Sequence, residues 1–234
     1  MIRLSELNVL AVWEEGAGTS AVARAVAVAA RAAPHSEAVS DWSIGRRDAL
    51  LLDVHAAVFG GAIELVTACP ACDEALELTV AVDDVRSTHG DAGAEHELVD
   101  EVSGVGVVFR LPSSADLLAV TTIDDIAAAR QALAERCVVG DAALPEGAVA
   151  ALAARVAELD PQADIQLALV CAECGHGWTV PFDVADHVWR RIDTRARTLV
   201  AEVAALAGAF GWSEAEILGL PADRRSLYLD LVGA

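Results

Sequence analysis

The sequence predicts an α+β fold, with helical N- and C-terminal regions around two β-hairpins. Three observations predict it. Apolar residues recur at helical spacing up to about residue 60 and again beyond residue 184. Between these regions, short stretches such as Leu76-Glu77-Leu78-Thr79-Val80 alternate apolar and polar residues with the period of a strand. Two such stretches adjoin a C-x-x-C pair, and both places read in the same order: strand, cysteine pair, strand.

Residues 4–33 read as helical. Leu4, Leu7, Leu10 and Val12 precede a break at Glu15-Gly16-Ala17-Gly18, Thr19 or Ser20 can cap a second, Ala-rich helix, and Pro34 ends it. A third helix is expected from near Ser40 or Asp41, with Leu50, Leu51, Val54 and Val58 on one face and Gly60-Gly61 as its stop. Residues 63–67 and 76–82 then read as the strands of a hairpin with Cys69-Pro70-Ala71-Cys72 at its tip. A polar loop over 86–94 follows, and a further hairpin over 95–111 would turn at Ser103-Gly104 and place Val105, Val107 and Phe109 on one face.

Ser113-Ser114-Ala115-Asp116 has the form of a capping box with an acid at its fourth position. It opens a helical region to about Val138, interrupted near Thr121-Thr122, and another helix is expected over 145–159 before Asp160-Pro161. Ile165, Leu167 and Leu169 alternate into Cys171-Ala172-Glu173-Cys174, and Trp178, Val180 and Phe182 alternate on the way out, so a second hairpin carries cysteines at its tip. Val188, Ile192, Ala196, Leu199, Val203, Leu206 and Phe210 form a near-heptad seam, which we expect to pack along another helix of the same chain. Gly211 breaks that helix, Ser213-Glu214-Ala215-Glu216 caps a short one, and Pro221 opens the last.

Composition excludes several classes of function. The hydrophobic share is 55%, but alanine supplies 49 of the 234 residues, so the larger apolar residues are an ordinary core allotment. Sixteen basic residues, all Arg, stand against 36 acidic ones, for a net charge of -20. Such a field repels phosphate backbones, and no nucleic-acid partner is expected. The apolar runs stop well short of the ~20 residues of a spanning helix, so no membrane insertion is expected. Met1-Ile2-Arg3-Leu4-Ser5-Glu6 meets Glu14 and Glu15 before a signal-peptide core can form, which points to a cytoplasmic protein.

Four of the five cysteines, Cys69, Cys72, Cys171 and Cys174, form the two C-x-x-C pairs. A reducing compartment favours metal or redox chemistry for such pairs over disulfide staples. Zinc takes four thiolates in a tetrahedron, and one hairpin tip presents two of them. The two hairpins therefore predict a split zinc-ribbon-like site with 98 residues between its halves, holding one structural zinc per chain. A thioredoxin-like use of Cys69/Cys72 fits less well, because that motif opens a helix after a strand. A zinc deaminase would need a proline ahead of its cysteine pair, and the His35-Ser36-Glu37 match then stands alone. Gly175 separates Cys174 from His176, against haem attachment. His176 reads as a turn residue, Cys137 as a small buried hydrophobe and His55 as a structural histidine. No P-loop, G-x-G-x-x-G or G-x-S-x-G motif is present, so no catalytic residues and no small-molecule substrate are assigned, and the chain reads as a non-enzyme.

A series of short strings carries a further signal. Leu4-Ser5-Glu6-Leu7, Val12-Trp13-Glu14-Glu15-Gly16 and Ile44-Gly45-Arg46-Arg47-Asp48-Ala49-Leu50-Leu51 come first. Val58-Phe59-Gly60, Leu111-Pro112-Ser113-Ser114-Ala115-Asp116-Leu117, Arg136-Cys137-Val138 and Gly211-Trp212-Ser213-Glu214-Ala215-Glu216-Ile217-Leu218 follow in that order, with Arg224-Arg225 and Tyr228-Leu229 closing the match. In this order the chain resembles the baseplate and baseplate hub assembly proteins of contractile-tailed phages and phage-tail-like contractile injection systems. The resemblance implies a non-enzymatic part in building or forming a baseplate, with other baseplate or tail proteins as partners, inside an assembled particle. The alternatives are a zinc-ribbon adaptor in another cytoplasmic complex and a C-x-x-C thiol-redox protein.

The expected organisation is an N-terminal helical region (1–61), a split ribbon-like core (62–183) carrying an inserted hairpin and helices (84–163), and a C-terminal long helix with short docking helices (184–234). In that last part Trp212, Ile217, Leu218, Leu227, Tyr228 and Leu231 are the candidate partner-binding residues. The arginine pairs Arg46–Arg47 and Arg224–Arg225 are expected to bind the chain's own surplus acids.

Overall fold

The computed structural model describes residues 4–34, 37–91, 93–99, 106–140, 144 and 147–233. Helices α1 (Glu6–Gly16), α2 (Ala21–Ala32) and α3 (Ile44–Phe59) come first. Ser20 is the residue that caps α2, accepting the Ala23 N–H at 3.2 Å. Ala33, next to Pro34, is extended (φ -71°, ψ 157°), as the proline ring requires of its predecessor, and α2 ends there. The third helix starts later than the sequence suggests. Val39–Asp41 forms a short 3-10 turn with Val39 buried, the chain then runs extended through Trp42, and Ser43 provides the cap of α3.

Hairpin β1 (Ala62–Ala68) with β2 (Ala75–Ala81) pairs from Ala62↔Ala81 to Ala68↔Ala75. A second antiparallel pair, β3 (Glu95–Val99) with β4 (Gly106–Arg110), matches the expected middle hairpin. Its proposed turn at Ser103-Gly104, like Val105, Pro145 and His35, lies outside the described residues. The capping box at Ser113 and Asp116 is present and opens α4 (Ser114–Val120), and α5 (Ile126–Cys137) resumes after the Thr121-Thr122 interruption. Helix α6 (Ala148–Leu159) follows, then β5 (Gln166–Val170) and β6 (Gly177–Pro181), paired from Gln166↔Pro181 to Val170↔Gly177. The chain closes with α7 (Val184–Phe210), α8 (Glu214–Leu218) and α9 (Ala222–Val232). Helices and small antiparallel hairpins together make the fold α+β.

Helix α7, about 40 Å long at 1.5 Å per residue, is the spine. Its seam of Val188, Ile192, Ala196, Leu199 and Leu206 is buried against α1, α2 and α3 and, further along, α8 and α9, so the seam finds its partners within the chain. Trp13 donates its indole N–H to Asp193 at 2.7 Å and ties α1 to α7. The main core gathers Val12, Val28, Leu51, Leu52, Val54, Ile192 and Leu199, and Ile63 and Phe182 bring the bases of the two cysteine-bearing hairpins into it. A smaller cluster, Phe109, Ala134, Cys137 and Leu152, packs β4 against α5 and α6.

Buried charge joins these parts. Asp160, fully buried, accepts the N–H of Gly45 at 2.9 Å and of Gly90 at 3.0 Å. Gly45 has to be glycine for this, because a Cβ there would stand 2.0 Å from the Asp160 carboxylate. Asp116 receives both guanidinium nitrogens of Arg110, at 2.6 and 2.9 Å, and Nε of Arg136 at 3.1 Å. The arginine pairs largely find intrachain acids, as expected: Arg46 meets Glu37, Arg47 meets Asp48, and Arg225 meets Glu6 and Glu202.

Candidate metal centre

The two cysteine-bearing hairpins are built alike. In each, the last strand pair (Ala68↔Ala75 and Val170↔Gly177) encloses a six-residue tip, Cys69-Pro70-Ala71-Cys72-Asp73-Glu74 in one and Cys171-Ala172-Glu173-Cys174-Gly175-His176 in the other. The Cys69 N–H donates to the Glu74 carbonyl at 2.9 Å and the Cys171 N–H to the His176 carbonyl at 2.9 Å. The tip closes when the Asp73 N–H donates back to the Cys69 carbonyl at 2.9 Å, and the Gly175 N–H to that of Cys171 at 3.0 Å. That closure needs a left-handed residue after the second cysteine, and Gly175 (φ 72°) and Asp73 (φ 58°) are those residues. Among the described residues Asp73 alone adopts positive φ without being glycine. Setting the two tips side by side in sequence, with Asp73 opposite Gly175, is the signal that could have singled it out.

Because each tip holds its cysteines in the same pose, the four sulfurs converge. All lie within 4.8 Å of one another, and they form the single group of three or more potential metal ligands among the described residues. Two contacts cross between the hairpins at the same distance: Cys69 Sγ to Cys174 Sγ at 3.7 Å, and Cys72 Sγ to Cys171 Sγ at 3.7 Å. A tetrahedral ion ~2.3 Å from each of four sulfurs sets them about 3.8 Å apart, so the donor set fits such an ion in spacing as well as in chemistry. The first cysteine of each tip is buried and the second is exposed.

Charge on the sulfurs points the same way. Burial raises the Cys69 pKa, but the N–H groups of Ala71 and Cys72 and the neighbouring sulfurs outweigh it and bring the thiol down to about 7. At Cys72 the Glu74 N–H acts to lower the pKa, while the Cys174 and Cys69 sulfurs push it up to about 12. The first thiolate thus opposes the next, and a cation among the four would remove that opposition.

The remaining sequence candidates stand apart from this cluster. Cys137 is buried in the smaller core, where burial, with Asp116 nearby, raises its thiol to about 11. His176 stacks on Trp178 with ring centroids 6.1 Å apart. His55 is buried against His187 at 5.1 Å and Phe59 at 5.6 Å. In the C-terminal part, Trp212 and Tyr228 are half-buried in an aromatic knot with Phe210, the Trp212 and Tyr228 centroids being 4.9 Å apart and their planes 83°. Ile217 and Leu218 are buried within the chain, where α8 packs on α7. Leu227 and Leu231, one turn apart on α9, are exposed by 64% and 76%, so of the six expected docking residues these two face outward most fully. Sequence reading expected Arg225 to meet an acid of the chain without naming it: Arg225, 1% exposed, donates to Glu202 at 2.6 Å and to Glu6 at 2.5 Å, and so joins α9 to α7 and α1.

With that geometry in place, comparison with known proteins adds a family likeness. Residues 27–141 match the T4 bacteriophage base plate protein family. The match runs from within α2 to just beyond α5, close to half of the chain, and bears out the likeness to a phage baseplate protein family. It includes Cys69 and Cys72 and ends before Cys171 and Cys174. No curated protein and no solved structure matches the chain. The baseplate match supports a structural role in a phage baseplate, as part of a phage particle, and suggests a protein that is not an enzyme. Among the described residues no helix is long and apolar enough to cross a membrane.

Proposed function

We propose that the chain is a non-enzymatic structural or assembly component of the baseplate of a contractile phage tail-like injection system, stabilised by one structural zinc held by Cys69, Cys72, Cys171 and Cys174. The observation that carries the baseplate reading is the family match over residues 27–141. The crossing sulfur contacts of 3.7 Å support the metal. Four soft thiolate donors within 4.8 Å of one another suit zinc, and four protein ligands would leave no open position for a substrate, as in a structural rather than a catalytic site.

On this reading the ion staples two hairpins that the chain separates by 98 residues, and completes a split ribbon-like core over 62–183 with an insertion at 84–163. The helical regions 1–61 and 184–234 flank that core. The partners are other baseplate or tail proteins, and the outward side of α9, with Leu227 and Leu231 next to the Trp212–Tyr228 knot, is offered to one of them.

Sedimentation of a native lysate, with the chain followed by mass spectrometry across the gradient, tests the reading. Co-sedimentation with large sheath-containing particles makes the chain a resident baseplate subunit. A free pool that particle assembly requires, with none in finished particles, makes it an assembly factor. Particles that form normally without the chain overturn the proposal.

A further inference from the structure

We propose that the four-cysteine centre is also a redox device: a disulfide oxidant converts it into two disulfides that cross between the hairpins, Cys69–Cys174 and Cys72–Cys171. The inference deepens the proposed metal centre, and rests on that reading for its reduced state only.

The sulfur contacts choose this pairing over bonds within each C-x-x-C. The two crossing contacts are already 3.7 Å, so each pair closes by only about 1.7 Å to reach the ~2.05 Å of a disulfide. Each crossing pair, like each C-x-x-C pair, unites one exposed sulfur with one buried one: Cys174 with Cys69, and Cys72 with Cys171. An oxidant in solution meets the exposed member, and the buried member waits beside it to resolve the mixed disulfide.

The chemistry balances with glutathione disulfide as the oxidant. The exposed sulfur, once it has lost its proton, attacks one sulfur of the oxidant and expels a glutathione thiolate. The buried thiolate then attacks the protein sulfur of the mixed disulfide and expels the second. For each protein disulfide, two cysteine thiols lose two electrons and two protons, and one glutathione disulfide becomes two glutathione thiols. Two oxidant molecules complete the centre, and a bound dication leaves with its charge unchanged.

The two pairings differ in consequence. Bonds within a tip would close only small loops and leave the hairpins separate. Crossing bonds join positions 105 and 99 residues apart, so the hairpins stay stapled after the thiolate ligands are gone. The centre thereby has one closure for a reducing compartment and another for an oxidising one.

The test uses the full chain. Reduced protein, with and without prior EDTA treatment, is exposed to oxidised glutathione and mapped by non-reducing peptide mass spectrometry. The expected result is a loss of four hydrogens, with linked peptides Cys69–Cys174 and Cys72–Cys171, and a higher melting temperature than the reduced, metal-free chain. Linked peptides Cys69–Cys72 and Cys171–Cys174 would overturn the inference, as would thiols that stay reduced or stop as mixed glutathione adducts. A Cys69→Ser/Cys174→Ser variant should still form Cys72–Cys171, and its failure to do so while folded also counts against the proposal. Metal content measured on the untreated sample reports separately on the metal reading. Metal-free protein that pairs crosswise contradicts the metal and upholds the device, whereas metal-loaded protein that pairs within each tip does the reverse.

Discussion

The sulfur of Cys69 lies 3.7 Å from that of Cys174, although 105 positions separate them in the chain. No strand of one hairpin pairs with a strand of the other, since each hairpin is a two-stranded sheet by itself. Their tips are brought together by bases anchored in one core, through Ile63 on β1 and Phe182 just beyond β6. The contact thus reports on the whole packing of the hairpins against α3 and α7, and several consequences can be measured.

Asp73 pays a conformational cost that Gly175 avoids. Its φ of 58° is left-handed, where a side chain costs about 1 kcal/mol or somewhat more. Asp73→Gly should therefore retain or raise stability by up to about 1 kcal/mol, and Asp73→Val, with a branched β-carbon in the same pose, should lower it by more than that. Urea denaturation of the two variants would check the order, and a more stable Val variant would contradict it.

Acid should unfold the chain in two separable stages. Burial, helped by His55, depresses the His187 pKa from its ordinary 6.5 to about 4. The unfolded chain then takes up the proton first, so this contribution is intact above about 6.5 and is lost as pH falls toward 4. Burial acts to raise the Asp116 pKa, but Arg110 and the Ser113 N–H hold it down at about 2. Its contribution is present above the ordinary carboxylate value of 3.8 and is lost as pH falls through 2. Stability measured against pH should lose its upper slope in His187→Gln and its lower slope in Asp116→Asn; unchanged profiles would contradict both assignments.

Arg225 fixes the last helix. Its side chain is 2% exposed and paired with Glu6 and Glu202. Arg225→Ala leaves those carboxylates without their partner and should cost about 3 kcal/mol. Hydrogen exchange should accelerate first in α9. Uniform acceleration across α1, α7 and α9 would indicate instead that the ion pairs hold the whole bundle.

Leu227 and Leu231 make few demands on the folded chain. Leu227→Asp/Leu231→Asp should change stability by no more than about 0.5 kcal/mol per site, as exposed substitutions do. On the proposed docking role, the same variant should be depleted from particles at unchanged expression. Full incorporation would move the docking surface elsewhere.

The hairpins and their cysteines were legible in the sequence because strand alternation and C-x-x-C spacing are local signals that the fold leaves intact. Caps were legible for the same reason, at Ser20, Ser113 and Ser213. The start of α3 was not, because Ser40, Asp41 and Ser43 are all capable caps. The choice falls on Ser43, whose hydroxyl donates to the Gly90 carbonyl at 2.7 Å across 47 positions. The fate of α8 was equally hidden: an apolar pair such as Ile217 and Leu218 looks the same in sequence whether its own α7 or a partner covers it. Which cysteine faces which is a property of two hairpins packed together, and no spacing within either one encodes it.

X-ray absorption at the metal edge, together with elemental analysis of the purified full chain, tests the proposed centre most directly. The account predicts one zinc ion per chain, surrounded by four sulfurs at about 2.3 Å, and loss of both metal and stability in Cys69→Ser/Cys171→Ser. A folded, metal-free chain, or a metal with nitrogen or oxygen in place of these sulfurs, would contradict it.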